Sequence, residues 1–567
     1  MKIIKERLQK LREEMASQNI DCYVVTGTDP HQSEYVAEHW NVRGWLSGFT
    51  GSAGQLVITL DFAALWTDSR YFLQAAEELE DTGIILMKQK VQYAPEHLQW
   101  IKDNMPQGSR VMIDGLTMSA YSFQEASNTY LNGMNIITQD TLLNTVWRDR
   151  STLPTSTVYI LSEKYVGVSS HQKIQDIRQW LKEHKLDGLL LTALDDIAWV
   201  TNLRGSDVMY NPVNMAYLYI SIDRVALFVD RKKIVKDVMS YLNELTVEIA
   251  DYHAIFEYFQ KVCPADLVGI DSYQTNHTLA SAINTPVSIS NPVTLSKGKK
   301  NDTEVLNIKC AMVSDGIALT KAFYWLEEQL TKRSVSEYEF GTILTQYRKE
   351  DPEYLQDSFG AIVGYNSNGA IIHYSAQKDK SAEIKPEGVL LVDSGGQYLT
   401  GTTDITRTVA VGAVKDPIKE SFTLVLKGLI SLTEVTFPMG TTGVQMDILA
   451  RQHLWHYGKS YSHGTGHGVG FCLNVHEGPQ GFGGLNSSKS KVAFEEGMVT
   501  SNEPGYYVDG QYGIRIENLI LTQKHSVHEN YLCFETLTLF PIDTSLIDTS
   551  LLTEQEVNWI NSYHQAV

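Results

Sequence analysis

Apolar and polar residues follow two different periods along this chain, and the periods predict where helices and strands lie. Near the start, Ile4, Leu8, Leu11 and Met15 recur at helical spacing among charged residues, which predicts an amphipathic helix. The apolar run IDCYVVTG at Ile20–Gly27 is short and rich in β-branched residues, which predicts a buried strand. Helices that alternate with such strands are typical of α/β domains.

This helix–strand pattern occurs twice in the first part of the chain. The matching segments are Ile20–Gly27 and Leu186–Ala193, Trp45–Gly54 and Trp199–Asp207, and Ala63–Phe72 and Val225–Ile234. The repetition predicts two α/β domains of similar fold over residues 1–150 and 151–300, followed by a third domain over residues 301–567. A chance likeness between two α/β units is the alternative interpretation.

Five short segments of the third region each contain one residue that binds hard metal ions. They are VDSGG at Val392–Gly396, TTDITRT at Thr402–Thr408, GTGHGVG at Gly464–Gly470, SNEPG at Ser501–Gly505 and IRIEN at Ile514–Asn518. The candidate ligands in them are Asp393, Asp404, His467, Glu503 and Glu517. Burying several ionised carboxylates side by side is prohibitive unless they are paired or bind metal. If the five side chains converge, two divalent cations resolve the excess charge, and metal-assisted hydrolysis becomes the leading hypothesis.

Strand periodicity indicates how some of these residues could converge. Gly388–Val411 has the pattern of a hairpin in which Asp393 ends one strand and Asp404 lies within the next, so their carboxylates can face each other. Arg515 and Glu517 alternate in IRIEN, which predicts that both side chains point to one face. Arg515 is then either a clamp on the metal site or a plain cross-strand ion pair, and Asp393 taken alone could equally be a turn residue.

The ligand types also bear on the metal. A set of four carboxylates and one imidazole suits Mn²⁺, Mg²⁺ or Fe²⁺ better than a thiolate-rich zinc site does. Two such ions can stabilise the transition state of phosphate ester or amide hydrolysis. The ligand chemistry alone does not choose between these substrates.

Composition narrows the class of function. A net charge of −20 argues against a nucleic-acid partner, because phosphate binding needs a basic face. No apolar run is long enough to predict a membrane span, and the charged N-terminal helix does not resemble a signal peptide. The five cysteines are sparse and show no CxxC spacing, which fits free thiols in a reducing compartment. We therefore expect a cytoplasmic protein with neither a nucleic-acid nor a membrane partner.

The order Asp, Asp, His, Glu, Glu in these segments resembles the "pita-bread" metallopeptidases, which include methionine aminopeptidase, prolidase and Xaa-Pro aminopeptidase. WTDSRYFLQA at Trp66–Ala75 and FGAIVGYNSNGAIIHY at Phe359–Tyr374 also resemble segments of Xaa-Pro aminopeptidase. Methionine aminopeptidase lacks the duplicated domains and prolidase usually has one, so the chain is similar to the large, three-domain Xaa-Pro aminopeptidases over nearly its full length. The fold class that this implies is α/β (α+β), with two similar creatinase-like N-terminal domains before a pita-bread catalytic domain.

The resemblance also implies roles for individual residues. The five candidate ligands would bind two manganese ions, and a hydroxide between the ions would attack the carbonyl that precedes proline. Glu503 would also accept the proton of the bridging water. Three histidines would position the substrate, polarise the carbonyl and help the leaving nitrogen take up a proton: His373, His463 and His476. Arg70 corresponds to an arginine associated with peptide binding in the family, and Arg515 is a further candidate for substrate binding.

The partners that this resemblance implies are peptides with proline at the second position, and family members are commonly homodimers. Prolidase, which cleaves Xaa-Pro dipeptides, remains the near alternative. A non-catalytic pita-bread binding module is the alternative from a different class of protein. Such modules typically lose metal ligands, whereas this chain matches all five positions.

Overall fold

The computed structural model describes residues 2–91 and 94–567. These residues form two compact units, one of residues 2–161 and 168–293 and the other of residues 162–167 and 294–567. In the described ranges, no helix is both long enough and apolar enough to cross a membrane.

The first unit contains two six-stranded sheets and the helices that cover them. Its strands are β1 Cys22–Val25, β2 Gln55–Thr59, β3 Ala63–Thr67, β4 Ile85–Lys88, β5 Arg110–Ile113, β6 Asn135–Ile137, β7 Tyr159–Ile160, β8 Gly188–Leu191, β9 Leu203–Arg204, β10 Ala216–Ser221, β11 Val225–Val229, β12 Glu248–Ala250, β13 Val268–Ile270 and β14 Pro286–Ser288. The helices up to residue 282 are α1 Lys2–Ser17, α2 Val42–Ser47, α3 Phe72–Glu78, α4 Glu96–Asn104, α5 Ala120–Glu125, α6 Leu143–Val146, α7 Glu163–Val166, α8 Ser170–His184, α9 Leu194–Thr201, α10 Lys236–Glu244, α11 Ile255–Lys261 and α12 His277–Ala282, of which α7 belongs to the second unit.

The two sheets have the same topology. Their strand orders are β4-β3-β2-β1-β5-β6 and β12-β11-β10-β8-β13-β14. In each sheet three strands form an antiparallel meander: β1-β2-β3 in one and β8-β10-β11 in the other. The remaining strands of each sheet pair in parallel. The predicted duplication is therefore confirmed at the level of topology. The predicted N-terminal helix is confirmed as well, because α1 buries Ile4, Leu8, Leu11 and Met15.

The second unit contains the remaining helices around several short sheets. The helices are α13 Pro292–Gly298, α14 Asp302–Leu330, α15 Glu337–Arg348, α16 Asp416–Thr433, α17 Gly443–His456 and α18 Glu554–Ala566. The strands are β15 Val335–Ser336, β16 Tyr354–Asp357, β17 Ile362–Tyr365, β18 Glu383–Ile384, β19 Val389–Ser394, β20 Gly396–Tyr398, β21 Gly401–Thr402, β22 Ile405–Ala410, β23 Phe437–Pro438, β24 Gly466–Gly468, β25 Glu477–Phe482, β26 Val499–Asn502, β27 Gly505–Val508, β28 Tyr512–Arg515, β29 Asn518–Lys524 and β30 Tyr531–Thr536.

Three sheets of this unit carry the candidate ligands or their neighbours. The first has the order β17-β19-β22, the second β23-β30-β29-β26-β24-β25, and the third pairs β27 with β28. Helix α16 packs its buried face, which includes Phe422, Val425 and Leu429, into a core cluster with Ile514 and Ile516. This apolar layer fixes the strands from behind and leaves their polar ends to form the site.

Candidate metal centre

Asp393 lies on β19, and Asp404 immediately precedes β22, the antiparallel neighbour of β19. In the β19–β22 register Asp393 is opposite Thr406, and both aspartates are buried. The predicted hairpin is confirmed, with two differences. Asp404 immediately precedes β22 instead of lying within it, and the connection contains the short strands β20 and β21. Because β22 begins one residue after it, Asp404 lies outside the strand interior, where aspartate is disfavoured.

His467 and Glu503 come from the six-stranded sheet. His467 is the central residue of β24, and Glu503 follows the end of β26, where its backbone N–H donates to the Thr465 carbonyl at 2.8 Å. The Nε2 atom of His467 is 3.5 Å from Asp404 Oδ2 and 3.5 Å from Glu503 Oε1. A ligand from each of two sheets is thus brought within reach of one imidazole nitrogen.

The hydrogen bonds of His467 fix its tautomer. Its Nδ1 is 3.0 Å from the Gly468 carbonyl oxygen, which can only accept, so Nδ1 carries the proton. The Nε2 lone pair then points toward two carboxylate oxygens. Three lone-pair donors facing one another repel unless a proton or a cation lies between them, and this arrangement suits a metal site.

Glu517 completes the set from a connection between two strands. The sequence predicted that it shares a strand with Arg515, but Ile516 and Glu517 lie between β28 and β29, which belong to different sheets. Both side chains still reach one atom. Thr406 Oγ1 donates to Glu517 Oε2 at 2.7 Å and accepts from Arg515 Nε at 3.2 Å. Ligand atoms of Asp404, His467 and Glu517 all lie within 4.8 Å of one another.

In both Asp393 and Glu517, one carboxylate oxygen accepts a hydrogen bond and the other has no hydrogen-bond partner. Asp393 Oδ2 accepts from Arg515 Nη2 at 2.6 Å, and Glu517 Oε2 accepts from Thr406. Their other oxygens, Asp393 Oδ1 and Glu517 Oε1, are buried and have no hydrogen-bond partner. Buried carboxylate oxygens are costly to leave unpaired, and metal coordination satisfies them. The residues therefore fit divalent cations.

The pKa values of these carboxyl groups reflect their crowding. Burial raises the pKa of Asp404 and of Glu517 well above the usual range, and the charges of neighbouring carboxylates raise it further. Burial also raises the pKa of Glu503 to about 7, against the opposing effect of the Arg515 charge. Without cations the cluster therefore holds protons that metal binding would displace.

A chain of polar contacts runs from the centre to His463. Arg515 Nη1 donates to Tyr507 Oη at 2.7 Å, and Tyr507 Oη is 2.9 Å from His463 Nε2. His463 Nδ1 is 2.7 Å from the Gly464 carbonyl oxygen, so Nδ1 carries the proton and Tyr507 donates to Nε2. The sequence did not identify Tyr507 or Thr406. Their positions, four residues after Glu503 and two after Asp404 on β-strands, were the available signals.

Two other predicted histidines belong to the same unit. The His476 ring lies at 83° to the His467 ring, with centroids 4.4 Å apart. The neighbouring His476 ring lowers the pKa of Glu503, although burial dominates there. His373 follows Ile372, whose carbonyl accepts from Arg515 Nη2 at 3.3 Å.

Arg70 lies in the first unit. Its Nε and Nη2 donate to the two carboxylate oxygens of Asp68 at 2.8 and 2.7 Å, so the guanidinium is held in one plane. Arg70 thus has a fixed orientation within its own unit.

Arg407 holds the far side of the Glu517 connection. Its Nη1 donates to the Glu517 carbonyl at 2.6 Å, and its Nη2 donates to Asn518 Oδ1, the Phe540 carbonyl and Tyr563 Oη at 2.7–2.8 Å. The guanidinium is buried among these neutral acceptors. It therefore ties the backbone of a candidate ligand to α18, which carries Tyr563.

Family models match nearly the whole chain. The model of the creatinase/prolidase N-terminal domain matches residues 7–146, and a second such model matches residues 149–304. The model of metallopeptidase family M24 matches residues 307–524, which contain all five candidate ligands. The C-terminal region of peptidase M24 matches residues 530–567. The fold class predicted from the sequence is confirmed.

Individual relatives align with this chain almost end to end. It is 40% identical to a probable Xaa-Pro aminopeptidase P of Tuber melanosporum, over 99% of this chain and 95% of that protein. The probable Xaa-Pro aminopeptidase P of Talaromyces marneffei is 39% identical, over 99% of this chain and 88% of that protein.

Solved structures agree with these matches. The X-prolyl aminopeptidase from Caenorhabditis elegans, described as a cytosolic enzyme with a di-nuclear active site, matches with a TM-score of 0.95 and 32% identity, over 99% of this chain and 95% of that chain. The Xaa-Pro dipeptidase from Bacillus anthracis matches with a TM-score of 0.54 and 26% identity, over 66% of this chain and 99% of that chain.

Proposed function

Because the chain belongs to metallopeptidase family M24 and, within it, to the Xaa-Pro aminopeptidases P, we propose that it removes the first residue from peptides whose second residue is proline. The observation that carries the hydrolytic part of this proposal is that ligand atoms of Asp404, His467 and Glu517 lie within 4.8 Å of one another. Beside them, Asp393 Oδ1 and Glu517 Oε1 are buried without a hydrogen-bond partner, as metal ligands would be. An X–Pro bond is a tertiary amide without an N–H, so a dedicated hydrolase is needed to recognise it.

We assign the metal centre to Asp393, Asp404, His467, Glu503 and Glu517, which would hold two divalent ions. The oxygen-rich donor set favours Mn²⁺ over metals that prefer thiolates. When bound, such a pair of ions supplies Lewis acidity toward the peptide carbonyl and a hydroxide nucleophile at neutral pH.

We propose Glu503 as the residue that accepts the proton of the attacking water. Its carboxylate lies 3.5 Å from the Nε2 atom of His467, where the metal ions would hold the water, and a general base must lie within hydrogen-bond reach of the proton that it accepts. Ser501 Oγ donates to Glu503 Oε1 at 3.1 Å, which leaves Oε2 as the atom to take the proton. Glu503 would then return this proton toward the leaving proline nitrogen.

His373, His463 and His476 are proposed to position the substrate and to stabilise charge on its carbonyl oxygen. The Gly464 carbonyl fixes the tautomer of His463 and Tyr507 donates to its Nε2, which supports a fixed positioning role for this ring. We propose that Arg515 acts chiefly through Asp393 and Tyr507, to which it donates.

Arg70 is proposed as a cation that binds the peptide. Its planar ion pair with Asp68 supports this role, because a guanidinium that is already oriented loses little side-chain entropy when it binds a ligand.

We further propose three domains at 1–150, 151–300 and 301–567, supported by the separate matches of the family models. The chain is also proposed to be a cytoplasmic homodimer. The description of the Caenorhabditis elegans relative as cytosolic supports the proposed location.

The proposal is tested with the manganese-loaded protein and three peptides. Arginine should be released from Arg-Pro-Pro, with little release from Arg-Ala-Ala. Equal cleavage of the two tripeptides would contradict the proposed specificity. Preference for the dipeptide Arg-Pro over Arg-Pro-Pro would instead identify a prolidase.

The Glu503→Gln variant tests the proposed proton transfer. General acid–base catalysis typically contributes about 10²–10⁴-fold, so kcat should fall by at least about 100-fold. Glu496→Gln is the matched control, since Glu496 forms an exposed ion pair with Lys524. Unchanged kcat in Glu503→Gln would remove this residue from the mechanism.

A further inference from the structure

Strand β25 contains an irregularity beside the two histidines that face each other. In the β24–β25 register His467 pairs with Gly481, but the next residue, Gly468, pairs with Glu477. Residues 478–480 therefore lie outside the pairing. Such a bulge bends a strand and changes the direction of its side chains. His476 immediately precedes Glu477, and His467 immediately precedes Gly468, the partner of Glu477, so Glu477 is joined to both histidines through the backbone.

Two buried lysines form ion pairs with the carboxylate of Glu477, and of the two only Lys300 also donates a hydrogen bond to it. Lys300 Nζ donates to Glu477 Oε1 at 2.9 Å, and Lys297 Nζ is 3.5 Å from Glu477 Oε2. The exposed fraction of each of these side chains is 3% or less. Lys300 is itself anchored, because its Nζ donates to the Lys297 carbonyl at 3.0 Å and its backbone N–H donates to the Gly497 carbonyl at 2.8 Å.

Stability alone gives no reason to bury these three charges. Removing an ammonium and a carboxylate from water costs several kcal/mol per ion, and apolar residues of similar size are often as stabilising as a buried ion pair. What a charge-assisted hydrogen bond adds is direction, because it fixes both distance and orientation at the acceptor oxygen. The place where direction matters is the start of β25, next to His476.

We propose that Glu477, held by Lys297 and Lys300, is a positioning residue that sets the orientation of His476 and of the metal ligand His467. The inference rests on the proposed function for the ligand role of His467 and for the reaction. In this arrangement the lysines do not touch the substrate. They hold the bulge of β25 so that the two imidazole rings keep their perpendicular contact.

Two variants test the proposal. Lys300→Met keeps the length of the side chain and removes the shorter contact, and Glu477→Gln keeps the shape of the acceptor and removes its charge. Partners that orient metal ligands typically change metal affinity or activity by about 10–100-fold. We expect either kcat on Arg-Pro-Pro or the Mn²⁺ affinity of the metal-free protein to decrease by about 10–100-fold. KM should stay within about twofold of the wild-type value.

Lys427→Met is the matched control. Lys427 Nζ donates to both carboxylate oxygens of Glu556 at 2.8 and 2.6 Å, and their side chains are 12% and 11% exposed. This pair joins α16 to the start of α18. Its loss should lower the melting temperature without changing kcat or Mn²⁺ affinity.

The positioning role is overturned if Lys300→Met and Glu477→Gln keep kcat and Mn²⁺ affinity within about twofold of Lys427→Met. If both variants fail to fold, Lys297→Met, which removes only the longer contact, is judged by the same criterion. Histidine ring signals in the metal-free protein give an independent readout: they should shift in Glu477→Gln and stay in place in Lys427→Met. Failure of the wild-type protein to cleave Arg-Pro-Pro would refute the proposed function. The Mn²⁺ affinities of the variants would still decide whether Glu477 is a positioning residue.

Discussion

The hydroxyl of Thr406 joins Arg515 to Glu517, and its removal by Thr406→Val should weaken metal binding. Valine keeps the shape of threonine, and the site is fully buried, so the change removes little besides the two hydrogen bonds. Glu517 Oε2 then loses its donor at 2.7 Å, and the buried Nε–H of Arg515 loses its acceptor at 3.2 Å. The hydrogen bond that turns Glu517 Oε2 toward Thr406, and so directs Oε1 toward the cations, is then lost.

The expected magnitude follows from the lost hydrogen bond to a charged group. Such bonds contribute about 1.5–3 kcal/mol, and about 1.4 kcal/mol corresponds to a tenfold change in an equilibrium constant. Mn²⁺ affinity should therefore fall by roughly 10–100-fold, the range found when partners of metal ligands are removed. Calorimetric titration of Mn²⁺ into the metal-free protein measures this directly.

Thr408→Val is a closely matched control. Thr408 lies two residues along the same strand, and its hydroxyl donates to the Arg515 carbonyl at 3.0 Å and accepts from the Arg515 N–H at 3.1 Å. It is equally buried but contacts no candidate ligand. Both variants should lose stability, whereas only Thr406→Val should lose Mn²⁺ affinity. Equal Mn²⁺ affinities in the two variants would refute the reasoning.

Two further predictions concern the same centre. Tyr507→Phe should lower kcat by about tenfold or more, because His463 loses the hydrogen-bond donor that fixes its ring. Tyr506→Phe, on the same strand, should leave kcat unchanged. Equal losses of kcat in the two variants would show a general effect on β27 and contradict the role of Tyr507. The metal-free protein should lose stability as pH rises from about 4.5 to about 7, since Glu503 keeps its proton in the folded state after the unfolded chain has lost its own. Asp404 and Glu517, whose pKa values are also raised, add to this decline. Denaturant titrations across this range should show a smaller decline with saturating Mn²⁺ and in Glu503→Gln; an undiminished decline in both would exclude Glu503 as the cause.

Period and residue type were enough to predict part of this molecule. The spacing of Ile4, Leu8, Leu11 and Met15 predicted α1, because a helix needs one apolar face. The repeated apolar runs predicted two similar sheets. The order of the five ligands was readable because each lies in a short segment of unusual chemistry, such as His467 between two glycines or Glu503 beside a proline.

Contacts between distant segments were not predictable in this way. Strand periodicity shows which face a side chain occupies, but it does not show which strand lies opposite or where a ladder ends. For that reason Asp404 and Glu517 were placed within strands, although each lies immediately before one. Lys300 and Glu477 are 177 positions apart in the chain, and no local sequence pattern around either residue predicts their contact.

The guanidinium of Arg407 has a consequence for the order in which the protein is made. It binds the backbone of Glu517 and the hydroxyl of Tyr563, which lies in the last turns of α18. Because synthesis runs from the amino terminus, every candidate ligand leaves the ribosome before α18 does. A nascent chain would therefore display its carboxylates without the brace that sets Glu517, and cations taken up at that stage would bind loosely and exchange. The Glu517 connection is therefore fully braced only once α18 has docked.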